Sequence, residues 1–480
     1  MKYIEFKDQV MAVATAQGLK DYELYASARE SVETEALKKK ITGFSSLLGN
    51  GACFRCIKDG KIGYASTELY TAKEAERIVL EAMENASVTE NQESAFIYGP
   101  DSDATKADAS SGDSCPCKAY AEVSAACNFE ASATASDTSL GKAPAAADLK
   151  KDVLQILESA CLADPRITDG SQAFLRYLKS TIFLSNSKGL NLSYTWDYSL
   201  SSCVAIAKEE NGEEMVDGSK TLVGSLSDFD FDAIGKEAAQ DALSRMGADT
   251  VATGQYPVVF SGKMMATLLA TFLTAFSAEA AQNGLSLLNG KEGEQVAASI
   301  LSLTDDPFLP ECVIHLPFDS EGVPTRRKPL IEKGTLNTLL HNLSTAAKAG
   351  CASTGNGVKT DYSAPVSILP SNLFLEKGGS GQREDLFRAA GNGIYITELN
   401  GMHAGANPVT GDFSLSAAGN LITDGELGAP VKNFTVSGNF YRFLKDVALI
   451  GDDLAFLPPK ATACFGSPSV MVNGLSIAGK

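Results

Sequence analysis

The chain has 480 residues, 44 % of them apolar, with 59 acidic against 41 basic side chains and a formal net charge of -18. The length suggests about two to four domains, and the apolar share is enough to build sizeable cores. The acidic balance excludes a general grip on nucleic acid, which needs clustered lysine and arginine to neutralise phosphates.

Residues 1–6 carry Lys2 and Glu5 and no apolar run of a secretion signal. No stretch approaches the roughly 18 uncharged apolar residues of a membrane span. No membrane partner is therefore expected. The expected location is the cytoplasm, where the ten cysteines should be thiols.

Residues 3–17 have helical periodicity, and residues 22–41 alternate like a strand. Lys38, Lys39 and Lys40 read as a solvated strand edge. Cys53 and Cys56 stand three apart in a strand that turns at Asp59-Gly60. Strand geometry sends their side chains to opposite faces, which argues against a shared metal. Thr71 opens a helix to about Ala86, with Glu74 at capping-box spacing.

Residues 101–147 are rich in Ala, Ser, Asp and Thr and carry Cys115, Cys117 and Cys127. Such a composition buries little surface and reads as a low-complexity, mobile insertion. A helix is expected over 148–162, ended by Asp164-Pro165. Residues 174–185, 190–198, 203–208 and 213–222 read as four strands, with turns at 186–189 and 210–212. A helix over 231–246 follows. Residues 1–250 thus form an N-terminal α+β domain of helices packed on antiparallel strands.

Residues 251–480 read as a β-rich, barrel-like C-terminal domain, making the whole chain α+β. It opens with a strand over 256–260. A long helix follows, with Met265, Leu268, Leu269, Phe272 and Phe276 on one face. Glycine-punctuated strands run to the end. No tandem repeat is legible.

The chain has three histidines, His315, His341 and His403, and none is followed by glutamate. A helical HExxH zinc site is therefore excluded. There is no GxxxxGK[ST] and no GxSxG, and Gly378-Gly-Ser-Gly381 reads as a turn. His315 and His341 lie in apolar surroundings and read as structural. His403 precedes a loop holding Asn407, Thr410, Asp412 and Ser414, where glycines permit close backbone approach. On the residues alone this loop satisfies its own backbone. A metal-free hydrolase built on Ser414, Thr410 and Asp412 would lack a neighbouring base.

Several ordered segments carry a family resemblance. They are Ser277-Ala-Glu-Ala-Ala-Gln-Asn-Gly-Leu-Ser-Leu-Leu288, Asp305-Asp-Pro307, Pro317-Phe-Asp-Ser-Glu-Gly322, Ser353-Thr-Gly-Asn356, His403 to Ser414 and Leu475-Ser-Ile-Ala-Gly479. Together they resemble the TldD/PmbA family, long labelled modulators of DNA gyrase. The resemblance covers most of 1–100 and 148–480; the insertion is not part of it.

The family has two branches that pair as a heterodimeric zinc protease. The TldD branch carries HExxxH at the end of the corresponding helix, completed by a cysteine near its C-terminus. Here the same positions hold Ala278, Glu279 and Asn283. Cys464, ahead of Phe465-Gly-Ser-Pro468, does not match the partner branch's cysteine. The chain therefore resembles the PmbA/TldE branch.

The implied role is a non-catalytic subunit that binds no metal itself and completes a proteolytic chamber for unfolded peptides. Zinc is expected in a TldD-like partner, and a homodimer is the alternative for the isolated chain. His403, Asn407, Thr410, Asp412 and Ser414 are implied to line the substrate. The alternative function is a binding protein that modulates DNA gyrase directly.

Overall fold

The computed structural model describes residues 1–89, 96–99, 143–209 and 215–480. The expected insertion falls almost wholly outside the described residues, as do its three cysteines and the 210–212 turn.

Helix α1 (Tyr3–Ala16) leads into β1 (Asp21–Leu37), β2 (Lys40–Lys58) and β3 (Lys61–Thr67), and α2 (Ala72–Val88) follows. The same order recurs in α3 (Ala146–Ala163), β4 (Gln172–Asn186), β5 (Asn191–Lys208), β6 (Met215–Gly224) and α4 (Phe231–Ser244). One antiparallel sheet joins them in the order β3-β2-β1-β4-β5-β6. Two αβββα units therefore meet at β1 and β4. The repeat is one of topology, which is why the sequence does not reveal it.

Two glycines mark equivalent places in the units. A Cβ on Gly63 of β3 would stand 1.9 Å from the Ala82 carbonyl oxygen of α2. A Cβ on Gly218 of β6 would stand 1.9 Å from the Ala242 nitrogen of α4. Only glycine lets each helix lie that close to its strand.

Helix α3 buries Leu149, Val153, Ile156, Leu157 and Ala160, one stripe at helical spacing. On β1, Leu24 and Ala26 face the helices while Tyr25 faces the other way. That other face is covered by the C-terminal half: Ile314, Leu316, Phe318 and Val323 pack against Leu184, Leu192 and Trp196. The sheet is thus buried on both sides, and the chemistry discussed below lies on the face away from the helices.

Some expectations need correction. Lys38 and Lys39 have φ of 53° and 58° and form the exposed tip of the β1–β2 hairpin, not a strand edge. The segments 190–198 and 203–208 are one strand, β5. Trp196 and Tyr198 are buried on one face, and Cys203, Ala205 and Ala207 on the other. The covered face changes along the strand, so no single alternation runs through it. Thr71 Oγ1 accepts the Glu74 N–H at 3.2 Å, but the Glu74 carboxylate accepts from Thr67 Oγ1 at 2.7 Å and Arg77 Nε at 2.9 Å. Only half of the capping box forms.

In the C-terminal half, β7 (Gly254–Phe260), β8 (Gly393–Asn400), β9 (Asp412–Thr423), β10 (Glu426–Asn439) and β11 (Val470–Ala478) close into a five-stranded barrel. Pairing of Thr435–Ser437 with Ser476–Ala478 closes it. The expected long helix is broken into α5 (Gly262–Thr271), a 3-10 turn (Leu273–Phe276) and α6 (Ala278–Gln282). Thr267 and Thr271 hydroxyls donate back to carbonyls four residues earlier, which bends helices. Ser277 then leaves helical geometry to bridge Leu340. The five expected apolar residues are nonetheless fully buried, and Phe272 stacks on Phe440 at 4.5 Å. Among the described residues no helix is long and apolar enough to cross a membrane.

Candidate functional site

Helix α6 is short and well anchored. Ser277 Oγ accepts the Ala280 N–H at 3.4 Å, and the Ala278 N–H donates to the Leu340 carbonyl at 3.0 Å. Gln282 Nε2 donates to the Thr345 carbonyl at 2.8 Å, tying α6 to helix α7 (Leu343–Ala349). The Ala278 methyl is buried in the main core. Glu279 and Asn283 are exposed and line a cavity of about 130 Å³ with Arg55, Tyr64, Glu321 and Asn342.

The wall of that cavity is a buried charge cluster. Arg55 Nε lies 2.8 Å from Glu23 Oε1, and its Nη1 lies 3.5 Å from Glu321 Oε1. Glu321 Oε2 accepts the Leu343 N–H at 2.8 Å, the first turn of α7. Burial works against the Arg55 charge, but Glu23 and then Glu321 outweigh it and hold the guanidinium cationic. Asp319 accepts N–H groups from Glu321, Val323 and Gly357 at 2.9, 3.0 and 2.8 Å. Its burial, then the neighbouring Glu321 carboxylate, push its carboxyl well up. Lys359 Nζ lies 3.8 Å from Cys53 Sγ, both buried. Cys56 packs instead among residues under the helices, so the two thiols do diverge.

Asp305 plays a similar bracing part. Its Oδ2 accepts from Lys328 Nζ and Asn356 Nδ2, each at 2.9 Å. Its Oδ1 accepts from the Ser371 and Asn372 N–H groups at 2.9 Å. Asp305, Asp319, Glu321 and Asn356 all sit in segments that carried the resemblance. Arg55 and Lys359 were missed by the sequence reading. The one signal for Arg55 is its place among apolar neighbours in a strand, where an unpaired charge is too costly to keep.

The segment from His403 to Ser414 lies elsewhere. His403 is exposed on a single helical turn, Met402–Gly405. Asn407 Oδ1 accepts N–H groups from Val409 and Thr410 at 3.0 and 3.3 Å. Asn439 Nδ2 donates to the Thr410 carbonyl at 2.8 Å and to Asp412 Oδ1 at 2.9 Å. Hydrogen bonding from the Asn439 amide and then from the Thr410 side chain lowers the Asp412 pKa. Ser437 Oγ donates to Ser414 Oγ at 3.1 Å. The structure gathers Asn407, Thr410, Asp412 and Ser414 on one barrel rim. It does not bring them to the cavity beside α6, whose lining includes neither these four nor His403.

The other histidines are accounted for locally. His315 Nε2 lies 3.0 Å from the Leu309 carbonyl. His341 is buried, and its carbonyl accepts from Ser353 and Thr354 hydroxyls. Burial lowers its pKa. Cys464 is buried beside Cys312, and that contact, then burial, raises the Cys312 pKa.

The residues on α6 do not fit a zinc ion. Ala278 offers no donor atom and its methyl is packed away, Asn283 offers only a neutral amide, and Glu279 stands alone. Among the described residues no three His, Cys, Asp or Glu side chains gather in metal-binding geometry.

Comparisons with known proteins align most of the chain. Residues 22–86 match the profile for PmbA/TldA metallopeptidase domain 1, residues 143–246 the central domain and residues 253–479 the C-terminal domain. The chain is 28 % identical to the metalloprotease PmbA of Escherichia coli O157:H7 over 67 % of its own length and 68 % of that protein's. It is 25 % identical to a metalloprotease TldD homologue of Buchnera aphidicola over 58 % of its length and 62 % of that protein's. A Thermotoga maritima MSB8 protein, whose structure carries the working description of a DNA gyrase modulator, superposes with a TM-score of 0.83 at 29 % identity, covering 99 % of this chain and 100 % of that one. TldE from Thermococcus kodakarensis superposes with a TM-score of 0.83 at 20 % identity, over 98 % of this chain and 99 % of that one, a likeness of fold.

Proposed function

Because the chain belongs to the TldD/PmbA family, we propose that it is the non-catalytic, TldE/PmbA-like subunit of a TldD/TldE-type zinc metallopeptidase. The observation that carries this reading is the Ala278, Glu279 and Asn283 set on α6. Where the TldD branch is expected to hold two metal-binding histidines, this helix presents a buried methyl and an exposed amide. Glu279 has no metal-bound water to activate.

Its residues brace rather than catalyse. Arg55, Glu23 and Glu321 clamp the N-terminal sheet to the C-terminal half beside α6, and a TldD-like partner would supply the metal and the hydrolytic step. The substrate would be unfolded peptide, and His403, Asn407, Thr410, Asp412 and Ser414 would line its path on the barrel rim. No metal is assigned to this chain, and a cytoplasmic setting suits the free cysteines among the described residues.

Co-expression with a TldD-type chain from the same source, followed by zinc analysis and a peptide-cleavage assay, tests the reading. Zinc and chelator-sensitive cleavage are expected only in the pair. Full cleavage by this chain alone in the presence of a chelator would sink it. Recovery of DNA gyrase on this chain without any TldD-type partner would favour direct modulation instead.

A further inference from the structure

The face of the N-terminal sheet turned from the helices is not filled evenly. Between it and the C-terminal half lies a cavity of about 560 Å³, far larger than the one beside α6. Strand register aligns Gly49 with Arg29, Arg29 with Ser180 and Ser180 with Trp196. These four residues form one row across β2, β1, β4 and β5, and all line the cavity. At about 4.8 Å per strand the row is roughly 14 Å long, the reach of about four extended residues. The roof is mixed: Leu316, Phe318 and Val358 give it an apolar patch, and Lys359 and Asp361 border that patch.

The far end of the row holds an unmet donor. Trp196 is 7 % exposed, and its Nε1 has no hydrogen-bond partner. An indole N–H can only donate, so it calls for an acceptor such as a carbonyl oxygen. The near end is open and apolar. Leu47 is 54 % and Leu48 is 85 % exposed. Strand β3 pairs only with residues 52–58 of β2, leaving the edge from 41 to 51 without a strand neighbour among the described residues. No charged residue occurs from 41 to 54, so this edge lacks the lysines and prolines that usually guard one.

We infer that this groove binds an extended, apolar segment of unfolded polypeptide, entering over Leu47 and Leu48 and running along the row from Gly49 to Trp196. Backbone carbonyls of the segment accept from the Arg29 guanidinium, and from Trp196 Nε1 once the indole turns its buried edge toward the groove. Apolar side chains fill the space under Leu316 and Phe318. An uncharged backbone with apolar side chains suits this lining better than an ion of either sign, because the charges bordering the cavity are mixed, with Arg29 and Lys359 against Glu68 and Asp361. The site goes beyond the pairing proposed above: it belongs to this chain, lies apart from Glu279 and Asn283, and needs no partner.

Trp196 is the sole tryptophan of the chain, so its fluorescence reports on the groove directly. The test titrates the full chain, without partner, with an end-capped leucine–alanine tetrapeptide and with its aspartate–alanine counterpart. Saturable change in Trp196 emission is expected with the apolar peptide only. Leu48→Asp, at an exposed site, should weaken binding about tenfold. Ser180→Phe, which fills the floor, should abolish it, while Leu427→Asp on the barrel should leave it unchanged. Trp196→Phe, read by calorimetry, should weaken binding while thermal unfolding shows the fold intact. Absence of both heat and emission change overturns the inference, as does undiminished binding by Ser180→Phe. Concentration-dependent self-association that Leu48→Asp abolishes, without peptide binding, overturns it in favour of a second copy at this edge.

Discussion

Arg55 of β2 and Glu321 of the C-terminal half stand 3.5 Å apart, with side chains only 4 % and 6 % exposed. Glu23 completes the pair on the other side of the guanidinium at 2.8 Å. This is the point where the N-terminal sheet, the first turn of α7 and the cavity beside α6 are held in one geometry. An ion cluster so buried contributes little net stability while complete, but is costly to break.

Arg55→Ala leaves two carboxylates buried without their cation. A loss of roughly 3–5 kcal/mol is expected, read as a lower denaturation midpoint. Arg55→Ala combined with Glu321→Gln should lose less than the sum of the single variants, since the second change removes one stranded charge. Strict additivity would show that the two groups do not interact.

Histidines introduced where the TldD branch is expected to carry them should not create a metal site. Ala278→His with Asn283→His places one imidazole where a methyl is packed in the core. Overpacking should cost about 1–3 kcal/mol. Metal analysis of the purified double variant should find no stoichiometric zinc. Stoichiometric zinc with unchanged thermal stability would contradict the packing argument.

Gly63→Ala and Gly218→Ala probe the two equivalent helix–strand contacts. Each new Cβ would meet helix backbone at 1.9 Å, so helix and strand must part. A loss of about 1–3 kcal/mol or more is expected at either site. Gly60→Ala serves as the contrast: nothing lies within 4 Å of its Cβ, and only its φ of +76° is strained.

His341 sets an acid limb to stability. Burial lowers its folded pKa from the ordinary 6.5, so below about pH 6.5 the unfolded chain takes up a proton that the folded chain resists. Stability contributed by the neutral, buried ring is complete above that pH and falls as the solution is acidified toward the folded pKa. His341→Gln should flatten the decline between about pH 7 and about pH 5. An unchanged slope in that variant would assign the decline to other groups.

The sequence by itself determined a good deal. Apolar periodicity placed α1, α3, α4 and the buried stripe from Met265 to Phe276, because burial follows local pattern. Three histidines without a neighbouring glutamate ruled out a helical HExxH site, because metal chemistry needs particular donor atoms. Quoted segments around Asp305, Asp319 and Asn356 pointed to the family, and each supplies a carboxylate or amide that braces buried backbone.

Tertiary structure alone decided the rest. That the expected long helix does not run on into α6 depended on Ser277 meeting Leu340, 63 residues away. That residues 191–208 form one strand, β5, and not two was hidden by a change of covered face that only packed neighbours dictate. The duplicated αβββα topology leaves no sequence repeat, because each unit meets different surroundings. Arg55 reads as an unremarkable strand residue until Glu23 and Glu321 close around it. The loop from His403 to Ser414 looked chemically rich, yet its polar groups are largely spent on its own backbone and on Asn439. Long-range pairing selects which polar side chains are buried together, and one-dimensional spacing carries no record of it.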